Sequence, residues 1–310
     1  MGGEVTAKPA ERSVPELLRR GLFVADKPQG PTSHQVSAWV RDLVGAQRAG
    51  HAGTLDPRVT GVLPIAFNEA TRALAAMLVG DKEYVGVLEL HQDVPDGKVH
   101  EMFRRFTGPV YQTPPVRSAV KREMRVRTIH EFDLLERDRR LVLFRTRCES
   151  GTYIRTLAND LGEALGVGAH LVDLRRTRTA TFVEAEAHPL TALHDALVFW
   201  KEDGDEGAVR ELVLPMERML DHVPKIVVKD TAADAICHGA NLAVPGVASM
   251  DSGIKKGELV ALMTAKGEGV ALANALLTAS QVEATKKGVA ADTKRVLMDP
   301  GTYPKGWKKS

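Results

Sequence analysis

The stretch from Gly50 to Phe67, GHAGTLDPRVTGVLPIAF, constrains this chain more than any other. Pro57 biases Asp56 away from helical backbone and towards an extended conformation. Gly50, Gly53 and Gly61 permit tight turns on either side. Val62, Leu63, Ile65 and Phe67 then read as a short buried strand, with Pro64 expected at its start or at a sheet edge. A rigid loop running into a core strand therefore presents one acid, Asp56. That arrangement suits a nucleophile, and it equally suits an aspartate that pins a turn. The loop alone leaves both readings open.

Around this stretch the elements mix. Leu22, Phe23 and Val24 begin a strand, and Thr32 or Ser33 caps a helix with Val36, Trp39, Val40, Leu43 and Val44 on its apolar face. Glu69 to Val79 is a helix by propensity, and Tyr84 to Leu90 alternates as a strand entered through Lys82 and Glu83. His100 to Phe106 reads as a short helix; Arg117 to Val120 and Ile129 to Leu135 read as extended. Leu141 to Cys148 is a strand, followed by a helix from about Thr152 to Leu165. No strict strand–helix–strand rhythm appears, so the expected class is α+β with a mixed, mainly antiparallel sheet.

A chain of 310 residues exceeds the usual span of one core, so more than one domain is expected. The acidic, glycine-containing run from Glu202 to Gly207 is one candidate boundary. From Pro224 onward, short β-rich pieces alternate with glycine turns and helical periodicity is weak, as in a small β-barrel of about 75 residues. Residues 1–20 read as a polar arm that orders by docking. The expected division is an arm (1–20), a larger α+β domain (21–215), a small β-rich domain (223–298) and a basic tail (299–310).

Cys148 and Cys237 lie far apart and form no CxxC pair, so neither a disulfide framework nor a zinc site is indicated. The N-terminus lacks an apolar signal-like core and no apolar run reaches membrane-spanning length, so a cytoplasmic location is expected. Net charge is only +2, yet basic residues cluster: Arg117, Lys121, Arg122, Arg125 and Arg127; then Arg137, Arg139, Arg140, Arg145 and Arg147; then Arg175, Arg176 and Arg178. Such patches on a nearly neutral chain are the footprint of a polyanion binder, or else strand faces balanced by Glu131, Asp133 and Glu136. Walker A, GxGxxG, HExxH and GxSxG motifs are all missing.

Taken in order, GHAGTLDPRVTGVLPIAF, KEYVGVLEL and CESGTYIRTLANDLGEALGVGAHLVDLRRTR resemble the TruB-type pseudouridine synthases, and VADKPQGPTSHQV resembles their entry block. RSAVKREMRVRTI resembles the archaeal dyskerin-like branch, which catalyses within H/ACA guide-RNA particles. Val223 to Leu297, with HGANLAVPGV, resembles a PUA domain. The long insertion by which the stand-alone bacterial enzymes grip tRNA is missing after Val120.

The resemblance implies isomerisation of uridine to pseudouridine in RNA, without cofactor or metal. It implies that Asp56 is the nucleophile, that Arg155 pairs with it in a dry pocket, and that Tyr84 stacks on the target base and is a candidate general base. Tyr153 and Leu174 are implied to line the uracil pocket, with Lys121, His51, Lys27 and Pro28 as further substrate-side residues. His238, Gly239, Ala240, Asn241, Pro245 and Gly246 are implied to face the guide RNA. Implied partners are guide RNA, rRNA and tRNA substrates, a short Nop-type subunit, a Gar-type subunit and a kink-turn-binding protein. Two alternatives stand beside this: a stand-alone tRNA enzyme and a non-catalytic particle scaffold. A glycosidase would need two paired acids, and only Asp56 sits in a suitable loop.

Overall fold

The computed structural model describes residues 8–113 and 123–304. Lys121, the stretch Arg117 to Val120, and the lysines of the final tail lie outside the described residues. The first sheet is built from β1 (Gly21–Lys27), β2 (Ala49–His51), β3 (Thr60–Phe67), β4 (Lys82–Leu90), β5 (Gly108–Gln112), β6 (Arg125–Asp138), β7 (Leu141–Cys148), β8 (Ala169–Thr179), β9 (Phe182–Val183) and β10 (Val213–Pro215). Its order is β10-β1-β3-β8-β4-β7-β6-β5, with β2 added to β3 and β9 to β8. The β3–β8 contact is parallel and the other pairs of this sheet are antiparallel, so the expected α+β class holds.

Helices α1 (Val14–Arg20), α2 (Ser33–Leu43), α3 (Asp96–Arg105), α4 (Ile154–Ala164), α5 (Leu190–Asp203) and α6 (Gly207–Leu212) accompany this sheet. Alternation along β1 and β3 divides two cores. Phe23, Ala25, Leu63, Ile65 and Phe67 join one with the helices, while Leu22, Val24, Val62 and Ala66 join the other. A strand buried on both faces reads as a continuous apolar run, and β3 does.

Four expectations need correction. Pro64 lies within an inner strand, opposite Val24 of β1. It is tolerated because β8 pairs with β3 only at Thr60 and Gly61, while β2 takes up that side from Ile65. Pro64 falls between the two neighbours, where a missing N–H breaks no ladder bond. Second, the helix expected by propensity over Glu69 to Val79 winds as a 3₁₀-helix, Asn68–Leu78. Ala70, Ala73 and Ala76 recur every third residue, which aligns them on one face at three residues per turn, and all are buried in the second core.

Third, the acidic run Glu202 to Gly207 is no boundary. Gly204 closes α5 in the left-handed conformation (φ 73°), and the chain returns through β10 to pair with β1. Fourth, the second unit is not purely β. Strands β11 (Lys225–Val228), β12 (Leu242–Ala243), β13 (Val247–Met250), β14 (Leu259–Met263), β15 (Gly269–Ala275) and β16 (Val289–Val296) form a sheet of order β12-β16-β15-β14-β11-β13. With it come α7 (Asp230–Cys237) and α8 (Ala279–Ala284).

The two units share a core. Met216, Met219 and Leu220 pack with Ala261, Met263, Leu272 and Leu297. Polar links reinforce the junction. Arg12 makes a two-pronged pair with Glu217 at 2.8 Å, and Glu217 also accepts from the Gly269 N–H. Asp299 gathers Arg19, Arg20 and Arg72. The arm is thus docked from Arg12 onward, with Arg12, Val14 and Leu17 buried.

Candidate active site

The Asp56 loop joins β2 to β3. Leu55 and Val59 are buried plugs, so the turn between them must stand outward. The Val59 N–H donates to the Asp56 carbonyl at 3.0 Å, with Pro57 at the second position, where its fixed φ suits such a turn. Three buried donors hold the loop from below. Lys27, with no exposed surface, donates to the carbonyls of Pro28 (2.9 Å), Pro57 (3.3 Å) and Val59 (2.9 Å). Ser33, at the start of α2, both donates to the Leu55 carbonyl and accepts from its N–H, each at 2.9 Å. Arg176 on β8 donates to the carbonyls of Gly53 and Val62, each at 2.8 Å. Close packing fixes the far end of the loop: a Cβ at Gly61 (φ 102°) would lie 2.2 Å from the Arg176 carbonyl.

Arg155 arrives from the first turn of α4 and forms an ion pair with Asp56. Gln112, buried at the end of β5, sets where this helix begins. Its amide accepts from the Tyr153 N–H (2.9 Å) and donates to the Tyr153 carbonyl (3.1 Å). The pair is not in a dry pocket, as sequence reasoning expected: the side chains of Arg155 and Asp56 are 65% and 55% exposed. Both protrude because the buried neighbours Leu55 and Ile154 anchor the backbone beneath them.

Tyr84 lies behind the pair. It stands opposite Arg176 across the β4–β8 ladder, and Gly86 stands opposite Leu174, so Tyr84, Leu174 and Arg176 share one face. Tyr84 is buried, and burial pushes its phenol above the ordinary value, partly offset by the Arg176 guanidinium. The phenolate, already rare at neutral pH, becomes rarer. Lys82, two residues before Tyr84, donates to the Gly80 carbonyl (3.0 Å) and Ser150 Oγ (2.9 Å); burial and Arg176 pull its ammonium down to about 8.

His51 sits behind the loop, its Nδ1 2.8 Å from Ser37 Oγ and its Nε2 3.3 Å from Thr54 Oγ1. Burial, His34 and Arg176 push it down to about 4, so it is neutral at physiological pH. A cavity of about 390 Å³ opens beside it, lined also by His34, Ala38 and Arg41. The structure therefore gathers Asp56, Arg155, Tyr84, Leu174, Lys27 and Pro28, with Tyr153 as the residue from which α4 starts.

The second unit's residues are remote in sequence and form two pieces. His238 caps α7 with Nδ1 2.8 Å from the Asp234 carbonyl. The Ala240 carbonyl and Asn241 Oδ1 accept from Thr293 of β16, and Pro245 accepts from Lys229. The turn is held by hydrogen bonds from β16 and from Lys229, and His238 to Asn241 remain exposed. The basic clusters are less available than their number suggests. Arg145 pairs with Asp133, Arg147 with Glu131 and Asp81, Arg137 with Asp96, and Arg175 with Asp26 and Glu184. Sequence reasoning missed Arg176, Lys82, Ser33 and Gln112 as site-forming residues. The alternation of β4 and β8 held the signal for two of them, since Lys82 falls on the face of Tyr84 and Arg176 on that of Leu174.

The profile described as TruB family pseudouridylate synthase (N terminal domain) matches residues 41–154, and the tRNA pseudouridylate synthase B C-terminal domain matches 155–221. A PUA domain matches 224–297 and a DKCLD domain matches 4–37. The protein named "Probable tRNA pseudouridine synthase B" of Methanocaldococcus jannaschii is 51% identical over 97% of this chain and 90% of its own length. This chain belongs to the TruB family of pseudouridine synthases. Its TruB relative in Archaeoglobus fulgidus, of the same name, is 51% identical over 97% of this chain and 93% of that protein. A crystal structure described as a Cbf5-Nop10-Gar1 complex superposes with a TM-score of 0.93 at 46% identity, covering 98% of this chain and 93% of that one. An H/ACA RNP bound to a substrate RNA containing 2′-deoxyuridine gives 0.90 at 44% identity, covering 99% and 95%.

Proposed function

We propose that this pseudouridine synthase isomerises uridines in RNA with Asp56 as nucleophile, at sites chosen by an H/ACA guide RNA. The observation that carries the chemistry is the Asp56–Arg155 pair at the mouth of a site floored by Tyr84 and Leu174. In the reaction the N1–C1′ bond breaks, the base turns and a C5–C1′ bond forms; C5 loses a proton and N1 gains one. A carboxylate attacks either C1′ or the uracil ring without needing a helper base, since it is ionised at neutral pH. Arg155 aims and neutralises that carboxylate once RNA covers the site. Tyr84 stacks on the extruded base, an interaction worth about 1–3 kcal/mol. Its raised pKa favours stacking over proton abstraction. Tyr153 and Leu174 bound the uracil, with Lys121, His51 and Pro28 contributing on the substrate side, while Lys27, which has no exposed surface, acts only through the loop it holds from below.

The partners belong to the same proposal: guide RNA, rRNA and tRNA substrates, Nop-type and Gar-type subunits and a kink-turn-binding protein. Support comes from the likeness to the Cbf5-Nop10-Gar1 complex and to the RNA-bound particle. We assign catalysis to residues 21–215 and guide binding to 223–298, through His238, Gly239, Ala240, Asn241, Pro245 and Gly246, with the arm (1–20) and tail (299–310) bracing or extending them. The proposed setting is the cytoplasm, to be tested by cell fractionation. The likeness over nearly the whole of tRNA-named relatives also favours guide-free action on tRNA as a second reading.

The deciding experiment is reconstitution with and without guide RNA, scored by tritium release from C5-labelled uridine. The expected result is guide-dependent release from rRNA fragments that Asp56→Asn abolishes. Full turnover by Asp56→Asn would remove the nucleophile assignment, and rapid rRNA modification without guide would remove the guided one.

A further inference from the structure

Asp56 and Arg155 are both more than half exposed, so their ion pair holds neither side chain tightly. What aims the nucleophile lies underneath it. Arg176 has no exposed surface, and among the described residues it makes no salt bridge to a carboxylate. Its Nε reaches the Val62 carbonyl and its Nη1 the Gly53 carbonyl, which bracket the Asp56 turn on both sides. Its Nη2 is buried with no well-aligned hydrogen-bond partner, and the guanidinium lies beside the Tyr84 hydroxyl. A desolvated cation without a counter-charge is costly, and an apolar side chain of similar volume would fill the same space more favourably. The guanidinium does one thing such a side chain cannot: its rigid fork ties two carbonyls at once, where a lysine would tie one.

We propose that Arg176 is the positioning residue for the Asp56 nucleophile. It fastens both ends of the loop to β8, the strand that carries Leu174 and pairs with Tyr84. Carboxylate and stacking ring are thereby held in one frame before RNA arrives. The inference rests on the reading of Asp56 as nucleophile. A misplacement of about 1 Å in such a frame costs on the order of 10²-fold in rate.

The test is single-turnover pseudouridine formation by the full chain in its guide-RNA complex, with RNA affinity and thermal midpoint measured alongside. Wild type, Asp56→Asn, Arg176→Met and Arg176→Lys are compared. Arg176→Met is expected to slow the step about 100-fold, with RNA affinity within twofold and the thermal midpoint unchanged or raised. Arg176→Lys, which keeps the charge but loses the fork, should stay slow. If Asp56→Asn is active, the nucleophile reading fails. If Asp56→Asn is inactive while Arg176→Met runs within threefold of wild type, only the positioning role is overturned. Should Arg176→Met not fold, Arg176→Lys decides: a wild-type rate overturns the proposal, and a slow rate with intact RNA affinity supports it. Loss of fold in both variants also overturns it, because the residue would then hold the domain together rather than aim the loop.

Discussion

Replacing Arg155 with alanine separates stability from catalysis in this enzyme. In the free protein its partner is Asp56, and both side chains face water, 65% and 55% exposed. Exposed ion pairs contribute about 0–1 kcal/mol, so Arg155→Ala should shift the thermal midpoint by no more than about 4 °C. The same pair under a bound nucleotide is a buried one. Removing one partner of a buried pair costs about 3–5 kcal/mol, which is about 10²- to 10⁴-fold in rate at 1.36 kcal/mol per decade. The assay is differential scanning calorimetry of the free chain beside single-turnover conversion in the assembled complex. Two results would refute this reasoning. A loss of more than 3 kcal/mol in the free chain would mean that the pair is already structural; a rate loss below tenfold would mean that RNA does not desolvate it.

Tyr84→Phe should keep most activity, because the stacking face survives, whereas Tyr84→Ala should lose about 5- to 150-fold, the equivalent of one stacked base; a large loss in Tyr84→Phe would restore the phenol as proton acceptor. Lys82 is held at about 8 against an ordinary 10.5, so the unfolded chain binds more protons between those values and wild-type stability gains with rising pH in that window. Denaturant melts at pH 7 and pH 10 should show wild type improving on Lys82→Met by about 2–3 kcal/mol; no relative change would contradict the buried cation. Arg12→Ala should destabilise by about 3–5 kcal/mol by leaving Glu217 buried without its partner, and an unaltered urea midpoint would show that the arm's pair contributes nothing to the junction.

Much of this protein was legible before any fold was known. The Asp56 loop followed from Pro57 and the glycines, since backbone restriction is a local property. So did the buried run of β3 and the alternation of β4, because side-chain period reports burial directly. Local reasoning failed where distant segments supplied the partner. Pro64 lies inside the sheet because two neighbours share one flank of β3. Residues 68–78 wind as a 3₁₀-helix because a third-residue alanine stripe packs against the second unit. The sequence left open whether the arginine clusters were free or balanced, and the partners Asp26, Asp81 and Glu184 were not among the acids it named. Asp56, Tyr84 and Arg155 were identified by sequence through motif likeness; their meeting at one point is a consequence of sheet order, β3 beside β8 and β8 beside β4, with α4 leading into β8. Only that order places Arg176 beneath the loop, because a hydrogen bond between residues more than a hundred positions apart is written in tertiary geometry rather than in any local run of residues.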